Sequence, residues 1–372
     1  MKILHLMKPE KFTKDVAEFY NSYFNNGEHE ICYVNKKGNE SLINDSLSIK
    51  QTEVFLSSSN KKITIALVKY LREYDYIVLH SLFFANYFLL LHPKVIKKFI
   101  WIAWGYDLYN WPHVAQGFKS KVSYYIGKYI RNNCSAFVGI FPPDCNVFKE
   151  KFPHSKAKVF YAPYCGAKIP EEYQHYSADS NLDKRIADNE PIYIQVGHNA
   201  AKSLNHMKAL ESLSHLKDEN IRIFLPLSYG DAQYGEKVQR YAETIFGEKA
   251  ICLRDFMPSD QYFALLERID IAVFNTHRQI GLGNINRMIF RNVKLYLPED
   301  SVMYRYFTGK GVPIQKCGDL QNLCIEELRK PVKPTDSEAF DALIESYRDM
   351  DGNVTLWKTV YESMRKQVEG SR

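Results

Sequence analysis

Short apolar runs that alternate with helical segments constrain the fold of this chain more than any other feature of its sequence. Residues 192–196, 221–227 and 271–274 are rich in β-branched and aromatic side chains, and apolar residues at helical spacing follow the first and third runs. Strands that alternate with helices form parallel sheets covered on both faces. The sequence therefore predicts an α/β fold for this half of the chain.

The first half shows the same alternation. Its candidate strands are residues 2–6, 76–80 and 99–104, with shorter ones at 137–141 and 159–162. A chain of 372 residues is long for one hydrophobic core, so we expect two domains, residues 1–165 and 191–335, joined by a polar linker at residues 166–190. Apolar side chains recur at helical spacing in residues 336–372, which are predicted to be helices that pack back on the first domain.

Polar loops that contain glycine follow the three strands of the second half. Ligands of open α/β sheets bind at the carboxyl ends of strands, so these loops are expected to surround one ligand. Gly281 and Gly283 precede a helix whose first N–H groups and dipole favour an anion, and His277 and Arg278 add positive charge. The segment predicts a phosphate site, with ordinary turn chemistry as the alternative.

Three tryptophans and one aspartate mark the end of a predicted strand in the first half, residues 99–111 (FIWIAWGYDLYNW). Aspartate resists burial unless it has a partner or a function, so Asp107 is a candidate general base for a hydroxyl substrate. His80 ends the preceding predicted strand and has an ordinary pKa nearer neutrality, which makes it a second candidate. Aromatic filling of a core and a structural histidine are the alternatives.

A basic segment follows, in which residues 118–131 (FKSKVSYYIGKYIR) alternate aromatic and aliphatic side chains with cations at helical spacing. A helix of this kind can lie in a membrane interface, with its basic side chains over anionic lipid and its tyrosines among the headgroups. The basic residues of this predicted membrane face are Lys119, Lys121, Lys128 and Arg131. An ordinary amphipathic helix that packs on the first sheet is the alternative.

Composition narrows the class of protein. The net charge of +6 is mild and does not indicate nucleic acid, and the seven cysteines form no CxxC pair, which favours buried reduced thiols over a zinc site or disulfides. No apolar run approaches the ~18 to 20 residues that span a bilayer, and the first apolar run is too short for a signal peptide. The protein is therefore expected in the cytoplasm. No G-x-G-x-x-G follows the first strand, which disfavours a dinucleotide enzyme.

Four blocks of residues together resemble the TDP-N-acetylfucosamine:lipid II N-acetylfucosaminyltransferase family, also described as 4-alpha-L-fucosyltransferases. The blocks are Trp104-Gly105-x-Asp107-Leu108-Tyr109, Val196-Gly197 followed by Lys202-Ser203 and His206, Pro226 with Tyr229, and Arg278-Gln279-x-Gly281-x-Gly283. The resemblance extends from about His80 to the C-terminal helix. It implies a GT-B glycosyltransferase, in which two facing Rossmann-like domains hold the acceptor in the first and the nucleotide sugar in the second.

The resemblance also implies roles for individual residues. The residues expected at the donor diphosphate are Gly197, Lys202, Ser203, Arg278, Gly281, Gly283 and Asn284. The donor nucleoside or sugar is assigned to Tyr229, Gln279 and Asn286, and the acceptor to Trp104 and Tyr109. The family's Gly-Asp is replaced by Ala200-Ala201, which leaves the donor sugar open. Arg278 and Asn286 occupy the positions of the glutamate pair of larger GT-B families, so recognition of the ribose is expected from other groups such as Asn284 or Asn286. No DxD pair lies in a suitable loop, which predicts metal-independent transfer without a cofactor.

The expected function follows from this resemblance. Members of the family transfer a deoxyamino sugar, such as 4-acetamido-4,6-dideoxygalactose, from TDP to a polyprenyl-diphosphate-linked saccharide during assembly of enterobacterial common antigen. A protein of this kind would lie on the inner face of the cytoplasmic membrane as a peripheral protein. The alternatives are a GT-B transferase with a UDP- or GDP-sugar and a soluble acceptor, and a non-catalytic partner in a glycosyltransferase complex.

Overall fold

The computed structural model of the chain describes residues 1–8, 12–36, 40–56, 68–82, 92–110, 118–165 and 190–370. The chain divides into two compact units. Unit 1 comprises Met1–Lys168 and Asp349–Arg372, and unit 2 comprises Ile169–Arg348. The predicted linker at residues 166–190 lies outside the described residues except for its last residue.

The described strands of unit 1 form one parallel sheet in the order β3-β2-β1-β4-β5-β6-β7. They are β1 (Ile3–Met7), β2 (His29–Lys36), β3 (Lys50–Leu56), β4 (Tyr76–His80), β5 (Phe99–Ala103), β6 (Ala136–Gly139) and β7 (Lys158–Tyr161). Helices from the same part of the chain are α1 (Thr13–Tyr23), α2 (Pro93–Ile96), α3 (Tyr106–Tyr109), α4 (Phe118–Asn133) and α5 (Asp144–Lys151).

Alternate residues of each strand point to opposite sides of the sheet of unit 1. Both faces are covered by other parts of the unit, so both sets of side chains are buried. Ile3, Val78 and Ile100 pack on α1, whereas Leu4 and Ile77 belong to the cluster that includes Ile126 and Ile130 of α4. The central strands β1, β4 and β5 are buried along their whole length. This explains why they are near-continuous apolar runs in the sequence.

Unit 2 has a parallel sheet in the order β10-β9-β8-β11-β12-β13. Its strands are β8 (Ile192–Val196), β9 (Ile221–Pro226), β10 (Ala250–Leu253), β11 (Ile271–Val273), β12 (Lys294–Leu297) and β13 (Gln315–Lys316). Its helices are α6 (His206–Leu213), α7 (Ala232–Phe246), α8 (Ser259–Leu266), α9 (Leu282–Phe290), α10 (Val302–Thr308), α11 (Ile325–Arg329) and α12 (Ser337–Arg348).

The last helix, α13 (Met350–Glu369), belongs to unit 1. Its Trp357 is fully buried and donates its indole N–H to the Pro163 carbonyl at 3.0 Å, while the Tyr76 hydroxyl donates to the Met364 carbonyl at 3.2 Å. The expectation that all C-terminal helices pack on the first domain needs correction for α12, which is part of unit 2. The chain passes back to unit 1 at Asp349, the cap of α13.

Both sheets have the doubly wound order in which the third, second and first strands precede the fourth, fifth and sixth. The order reverses between β1 and β4 in unit 1 and between β8 and β11 in unit 2. Loops that leave the carboxyl ends of these strands diverge to opposite faces and open a crevice, which is where ligands of such sheets bind. The fold therefore places one candidate site on each unit, at the carboxyl edge of its sheet.

The predicted strands are all present, and the α/β class with parallel sheets is confirmed. Sequence patterns missed β2, β3, β10, β12 and β13. β2 begins with His29 and Glu30, and β12 begins with Lys294, so charged or polar residues interrupt the apolar signal. Among the described residues, no helix is both long and apolar enough to cross a membrane.

Candidate functional site

The loops that follow β8 and β11 are interlocked through glycines at the carboxyl edge of unit 2. Gly197 and Gly281 have φ values of 68° and 71°, a region that favours glycine. A Cβ at Gly197 would lie 2.3 Å from Nε2 of His206, and a Cβ at Gly281 would lie 2.8 Å from the ring of His198. Both glycines therefore make room for histidines of the loop and helix that follow β8, and this close packing fixes the loops relative to one another.

A glycine with a positive φ also allows the loop after β9 to pack closely against a neighbouring loop. Gly230 has a φ of 114°, and a Cβ there would lie 2.8 Å from the backbone of Ala200. Ala200 and Gly230 also form a parallel β-bridge. Three loops from three strands thus form one rigid rim, and rigid elements hold ligand-binding groups more accurately than independent loops do.

Gly283 differs from these glycines because nothing lies within 4 Å of the position that a Cβ would take. It is exposed in the first turn of α9, where a glycine costs up to about 1 kcal/mol relative to alanine. The first N–H groups of a helix have no partner within the helix. The described residues therefore give no packing reason for this glycine, and the space that a Cβ would occupy is open.

Two predicted cations lie on this rim. The Arg278 Nε donates to Ser203 Oγ at 3.1 Å, which joins the loop after β11 to the short helical turn Lys202–Leu204. Lys202 is exposed and its ammonium lies 2.8 Å from Asp231, whose hydrogen bond raises the pKa of the lysine. His277 pairs instead with Asp300 at 3.0 Å. The structure therefore brings together Lys202, Ser203 and Arg278 beside the start of α9.

Amide oxygens without partners lie close to these cations in the sequence. Oε1 of Gln279 and Oδ1 of Asn286 are buried atoms that meet no hydrogen-bond donor among the described residues. A buried polar atom without a partner costs about 1 to 3 kcal/mol, so each such atom needs an explanation. A ligand with hydroxyl or N–H donors would satisfy both.

The other residues predicted to bind the donor nucleotide sugar differ in their contacts and exposure. Asn284 donates its amide to the Tyr262 hydroxyl at 3.1 Å, and Tyr229 is 40% exposed with its ring centroid 6.4 Å from that of His198. Sequence analysis missed His198 and Gln195. Gln195 is fully buried in β8 and its Oε1 also lacks a partner in the described part of the chain. The glutamine inside the apolar run IYIQV is the sequence feature that could have indicated Gln195 as a functional candidate.

In unit 1 the Asp107 carboxylate is buried and holds the corner between β5 and α3. It accepts hydrogen bonds from the backbone N–H of Leu82 at 2.8 Å, the indole N–H of Trp101 at 2.7 Å and the backbone N–H of Trp104 at 2.9 Å. A carboxylate with this many donors around it stabilises the fold locally, and proton transfer would disturb all three bonds. These contacts give Asp107 a structural role at this corner, and its role as a general base stays a prediction.

Tyr109 and Arg131 belong to the same corner. The Tyr109 hydroxyl donates to Asp144 at 2.7 Å, and burial raises the pKa of Asp144 to about 7 against the opposing effect of this hydrogen bond. Arg131 is only 4% exposed, donates to the carbonyls of Asp107 and Gly127, and lies 4.9 Å from the ring centroid of Trp101. Burial lowers the pKa of Arg131 to about 10. Its predicted place on a membrane face is therefore wrong, because its contacts hold it in the core.

The other basic residues of α4 have a different environment. Lys121 and Lys128 are exposed, and between and beside them Tyr125 and Tyr129 are 66% and 38% exposed. The opposite side of the helix is buried through Ile126 and Ile130. The side chain of Lys119 lies outside the described residues. A face of lysines and tyrosines is thus present, without Arg131.

His80 and Trp104 lie at the carboxyl edge of the first sheet. His80 ends β4, is 3% exposed, and has its Nε2 3.1 Å from Nδ1 of His5, and burial lowers its pKa to about 3. Trp104 packs edge-on against Phe12 and Tyr164, with ring centroids 6.3 and 5.7 Å away. Nδ1 of His80 and the indole N–H of Trp104 have no partner among the described residues. These two atoms are the open polar groups of this edge.

Within the described ranges, no group of three or more His, Cys, Asp or Glu side chains is arranged to hold a metal ion. The described cysteines are all free thiols.

Solved structures, a glycosyltransferase among them, have the same fold. Anabaena HepE in complex with UDP and glucose matches with a TM-score of 0.65 and 12% identity, over 98% of this chain and 100% of that chain. WaaG, a glycosyltransferase involved in lipopolysaccharide biosynthesis, matches at 0.59 and 12%, over 97% and 99%. The sucrose-phosphate synthase of Thermosynechococcus elongatus matches at 0.66 and 10%, over 99% and 100%. With the two doubly wound sheets, these matches confirm the GT-B fold.

The sequence of the chain identifies its family. The model of the 4-alpha-L-fucosyltransferases, glycosyl transferase group 56, matches residues 2–354, which is nearly the whole chain and includes all four blocks of the resemblance. The chain therefore belongs to the 4-alpha-L-fucosyltransferase family and is a glycosyltransferase.

Proposed function

We propose that the protein transfers a deoxyamino sugar, such as 4-acetamido-4,6-dideoxygalactose, from TDP to a polyprenyl-diphosphate-linked saccharide. The pathway would be the assembly of a bacterial surface polysaccharide such as enterobacterial common antigen. The observation that carries the donor part of this proposal is the start of α9, where the open space at Gly283 lies in the same loop and helix as Arg278. Membership of the fucosyltransferase family supports the sugar class.

Charge development explains why these residues suit a nucleotide sugar. When the bond from the sugar to the phosphate breaks, the nucleoside diphosphate gains negative charge, and fixed donors that face this charge are the main source of rate enhancement. The first N–H groups of α9 and the guanidinium of Arg278 would supply them, with the more exposed Lys202 as a further cation. HepE, which has the same fold, was crystallised with UDP.

The buried oxygens of Gln279 and Asn286 are assigned to the nucleoside or the sugar of the donor. Both atoms can only accept hydrogen bonds, so they select ligand groups with O–H or N–H. Sugar hydroxyls and the amide N–H of an acetamido sugar are such groups. This assignment accounts for buried oxygens that are otherwise costly to leave without partners.

A thermal-shift panel with TDP, UDP and GDP tests the donor. A ligand that binds only the native state stabilises it by about 2.7 kcal/mol at a concentration of about 100 times its Kd. We expect TDP to give the largest shift, and Arg278→Ala to remove that shift. A larger shift with UDP or GDP would establish the alternative donor, and no shift with any of them would favour a non-catalytic partner of another glycosyltransferase.

We expect transfer to continue without a metal or another cofactor, because Arg278 and Lys202 supply the positive charge that the leaving diphosphate needs. Turnover measured with and without EDTA tests this expectation. Loss of turnover in EDTA, restored by a divalent cation, would overturn it.

The acceptor is assigned to unit 1, and the exposed face of α4 is proposed to hold the enzyme at the inner face of the cytoplasmic membrane. The helix contains no acidic residue, and each of its exposed lysines, Lys121 and Lys128, can add about 1 kcal/mol of attraction to an anionic surface. Tyr125 and Tyr129 beside them suit the headgroup layer. A lipid-linked acceptor would be concentrated at the same surface.

Liposome co-sedimentation tests whether the protein binds a membrane surface. Binding should rise with anionic lipid content and fall with salt, because exposed charges are screened over about 10 Å at moderate ionic strength. The double variant Lys121→Gln with Lys128→Gln should release the protein, whereas the exposed lysines of unit 2, Lys217 and Lys237, replaced in the same way, should leave binding unchanged. If the wild-type protein ignores anionic liposomes, a soluble acceptor becomes the better assignment.

A further inference from the structure

Three buried histidines form a hydrogen-bonded series through the core of unit 1. Nδ1 of His5 lies 3.1 Å from Nε2 of His80, and Nε2 of His5 lies 2.9 Å from Nδ1 of His29. His5 is completely buried, and His80 and His29 are 3% and 5% exposed. We refer to His80, His5 and His29 as the histidine file.

The file connects two opposite edges of the sheet. His80 is the last residue of β4, beside the reversal of strand order between β1 and β4, and His29 is the first residue of β2. Ser81, next to His80, has a φ of 68°, a costly conformation for a residue other than glycine that is often retained at functional sites. One end of the file therefore lies at the ligand-binding edge of this unit and the other end lies at the far edge.

The order of the ring nitrogens limits the file to two arrangements. A neutral imidazole has one N–H and one lone pair, and each bond in the file joins an Nδ1 to an Nε2. If His80 donates from Nε2, then His5 and His29 must also carry their protons on Nε2, and Nδ1 of His80 is a free lone pair. In the reverse arrangement all three rings carry their protons on Nδ1.

These two arrangements differ by the passage of one proton through the file. A proton that arrives at Nδ1 of His80 displaces the Nε2 proton to His5, which displaces its own to His29, which releases a proton from Nε2. Each ring returns to neutrality in the process. Nδ1 of His80 is buried and meets no partner among the described residues, so it is the open end of the file.

The side chains described below, which pack around the histidine file, are neutral or held in ion pairs, so the imidazoles are the groups that can transfer a proton. From α1 and α13, the rings of Tyr20 and Tyr361 pack on His5, and their hydroxyls are 2.6 Å apart. Glu28, which precedes His29, pairs with Arg365 at 2.6 Å and with the N-terminal amine at 2.7 Å. Burial raises the pKa of Tyr20, Tyr361 and Cys165 and lowers the pKa of His29 to about 4, so all these side chains except the ion pairs are neutral near pH 7.

We propose that the histidine file is the proton relay for glycosyl transfer, with His80 as the residue that receives the proton of the acceptor hydroxyl. This inference rests on the proposed function. As the hydroxyl oxygen forms its bond to the anomeric carbon, its proton passes to Nδ1 of His80, and His29 releases a proton from Nε2 to water at the far edge. After the products leave, Nδ1 of His80 gives a proton to water in the emptied site and Nε2 of His29 takes one up from water, which restores the resting arrangement. The bond between the anomeric carbon and the donor phosphate breaks, and its electron pair leaves with the nucleoside diphosphate.

The relay solves a problem that a single buried base would have. An imidazole that kept the proton would be a cation in the apolar core, and burial of an isolated charge is very costly. Because each ring passes a proton on as it receives one, no ring has to remain charged. His5 and His29 are positioning residues in this scheme, since they set the tautomer of His80 without touching the acceptor.

The variant His5→Gln separates the relay from packing. Glutamine can accept a hydrogen bond with its oxygen and donate one with its nitrogen, but an amide does not pass a proton from one atom to the other. We expect kcat to fall about 100-fold or more, as for loss of general base catalysis, with the thermal shift by TDP unchanged. A kcat equal to that of the wild type would overturn the relay and leave the proposed function intact.

Two measurements report the relay independently of packing. The ring-nitrogen NMR signals of His5, His29 and His80 should show three neutral rings protonated on Nε2, and protonation on Nδ1 in the resting protein would overturn the inference. In mixtures of H2O and D2O, the wild-type rate should depend on more than one proton, and His5→Gln should lose this dependence. If the wild-type protein transfers no sugar, the proposed function fails, and the tautomers still show whether the file exists.

Discussion

The carboxyl edges of the two sheets have the same strand order, but the polar residues of the two sequence blocks that follow β5 and β11 have different environments. In unit 1, the Asp107 carboxylate, the Tyr109 hydroxyl and the terminal nitrogens of Arg131 form hydrogen bonds within the unit. In unit 2, Lys202 is exposed, and buried oxygens of Gln279 and Asn286 have no partner among the described residues. A polar residue can therefore belong to a family pattern because it builds the fold or because it binds a ligand.

The hydrogen bonds separate these two reasons where sequence similarity does not. The WGxDLY and RQxGxG blocks carry the resemblance about equally, and both follow buried strands. The three donors around Asp107 indicate that the first block mainly stabilises the corner between β5 and α3. The second block has open space at Gly283, which is compatible with a ligand close to the backbone.

The largest expected difference between the units is their response to acid. Burial lowers the pKa of His80 to about 3 and of His29 to about 4, and that of His5 well below its ordinary 6.5. Between the folded and unfolded pKa values, these rings take up protons only when the protein unfolds. Their contribution to the free energy of unfolding is therefore complete above about pH 6.5 and decreases as the pH falls toward their pKa values in the folded state. Asp144 acts in the opposite direction, because its folded pKa of about 7 exceeds the ordinary 3.8.

The net effect in unit 1 is about two protons taken up on unfolding, which corresponds to a loss on the order of 5 kcal/mol between about pH 6.5 and pH 4.5. In unit 2, burial lowers the pKa of His206 to about 4. The four tryptophans all belong to unit 1, so urea unfolding followed by their fluorescence reports this unit alone. His5→Gln should reduce the pH slope by one proton, and an unchanged slope would contradict the assignment.

The second prediction concerns the rim of unit 2. Arg278→Ala should reduce turnover about 10- to 1000-fold, the range for loss of a group that stabilises transition-state charge, and should leave thermal unfolding without ligand nearly unchanged. Lys202→Ala should fall at the lower end of this range, because Lys202 is exposed and shared with Asp231. Arg240→Ala, at an exposed position on α7, is the matched control. Equal activity of Arg278→Ala and the control would remove the diphosphate assignment.

Sequence patterns predicted the fold better than the site because the two depend on different information. Buried parallel strands are continuous apolar runs, so β1, β4, β5, β8, β9 and β11 were found from their side chains alone. The role of Asp107 depends on donors from Leu82 and Trp101, and the histidine file joins residues that are 24 and 75 positions apart. Such contacts arise only from strand order and register, which composition and spacing do not encode.

The third prediction tests the structural corner of unit 1. Asp107→Asn should destabilise this unit by about 2 to 3 kcal/mol, because an amide presents N–H in place of one acceptor and loses the negative charge. Tryptophan fluorescence in urea measures this loss. Asp75→Asn is the control in the same unit, since its carboxylate accepts an exposed hydrogen bond from the Lys2 backbone at 2.8 Å, and it should change stability by less than about 0.5 kcal/mol. Unchanged stability of Asp107→Asn would contradict this structural role.

The smallest effect is expected at Gly283, and its two parts have opposite signs. Gly283→Ala should stabilise unit 2 by up to about 1 kcal/mol, because alanine favours the helix and its Cβ meets nothing within 4 Å. The same methyl group would fill the open space beside the start of α9 and weaken TDP binding about tenfold, the value of roughly one hydrogen bond. Far-UV circular dichroism in urea measures the first effect, since no tryptophan lies in unit 2, and the thermal shift by TDP measures the second. Gly318→Ala has equally open space in the short helix Cys317–Asn322 of this unit, outside the loops that follow β8, β9 and β11, and should leave TDP binding unchanged. If Gly283→Ala stabilises the protein and binds TDP as well as the wild type does, the glycine serves only the turn, and the backbone there does not contact the donor.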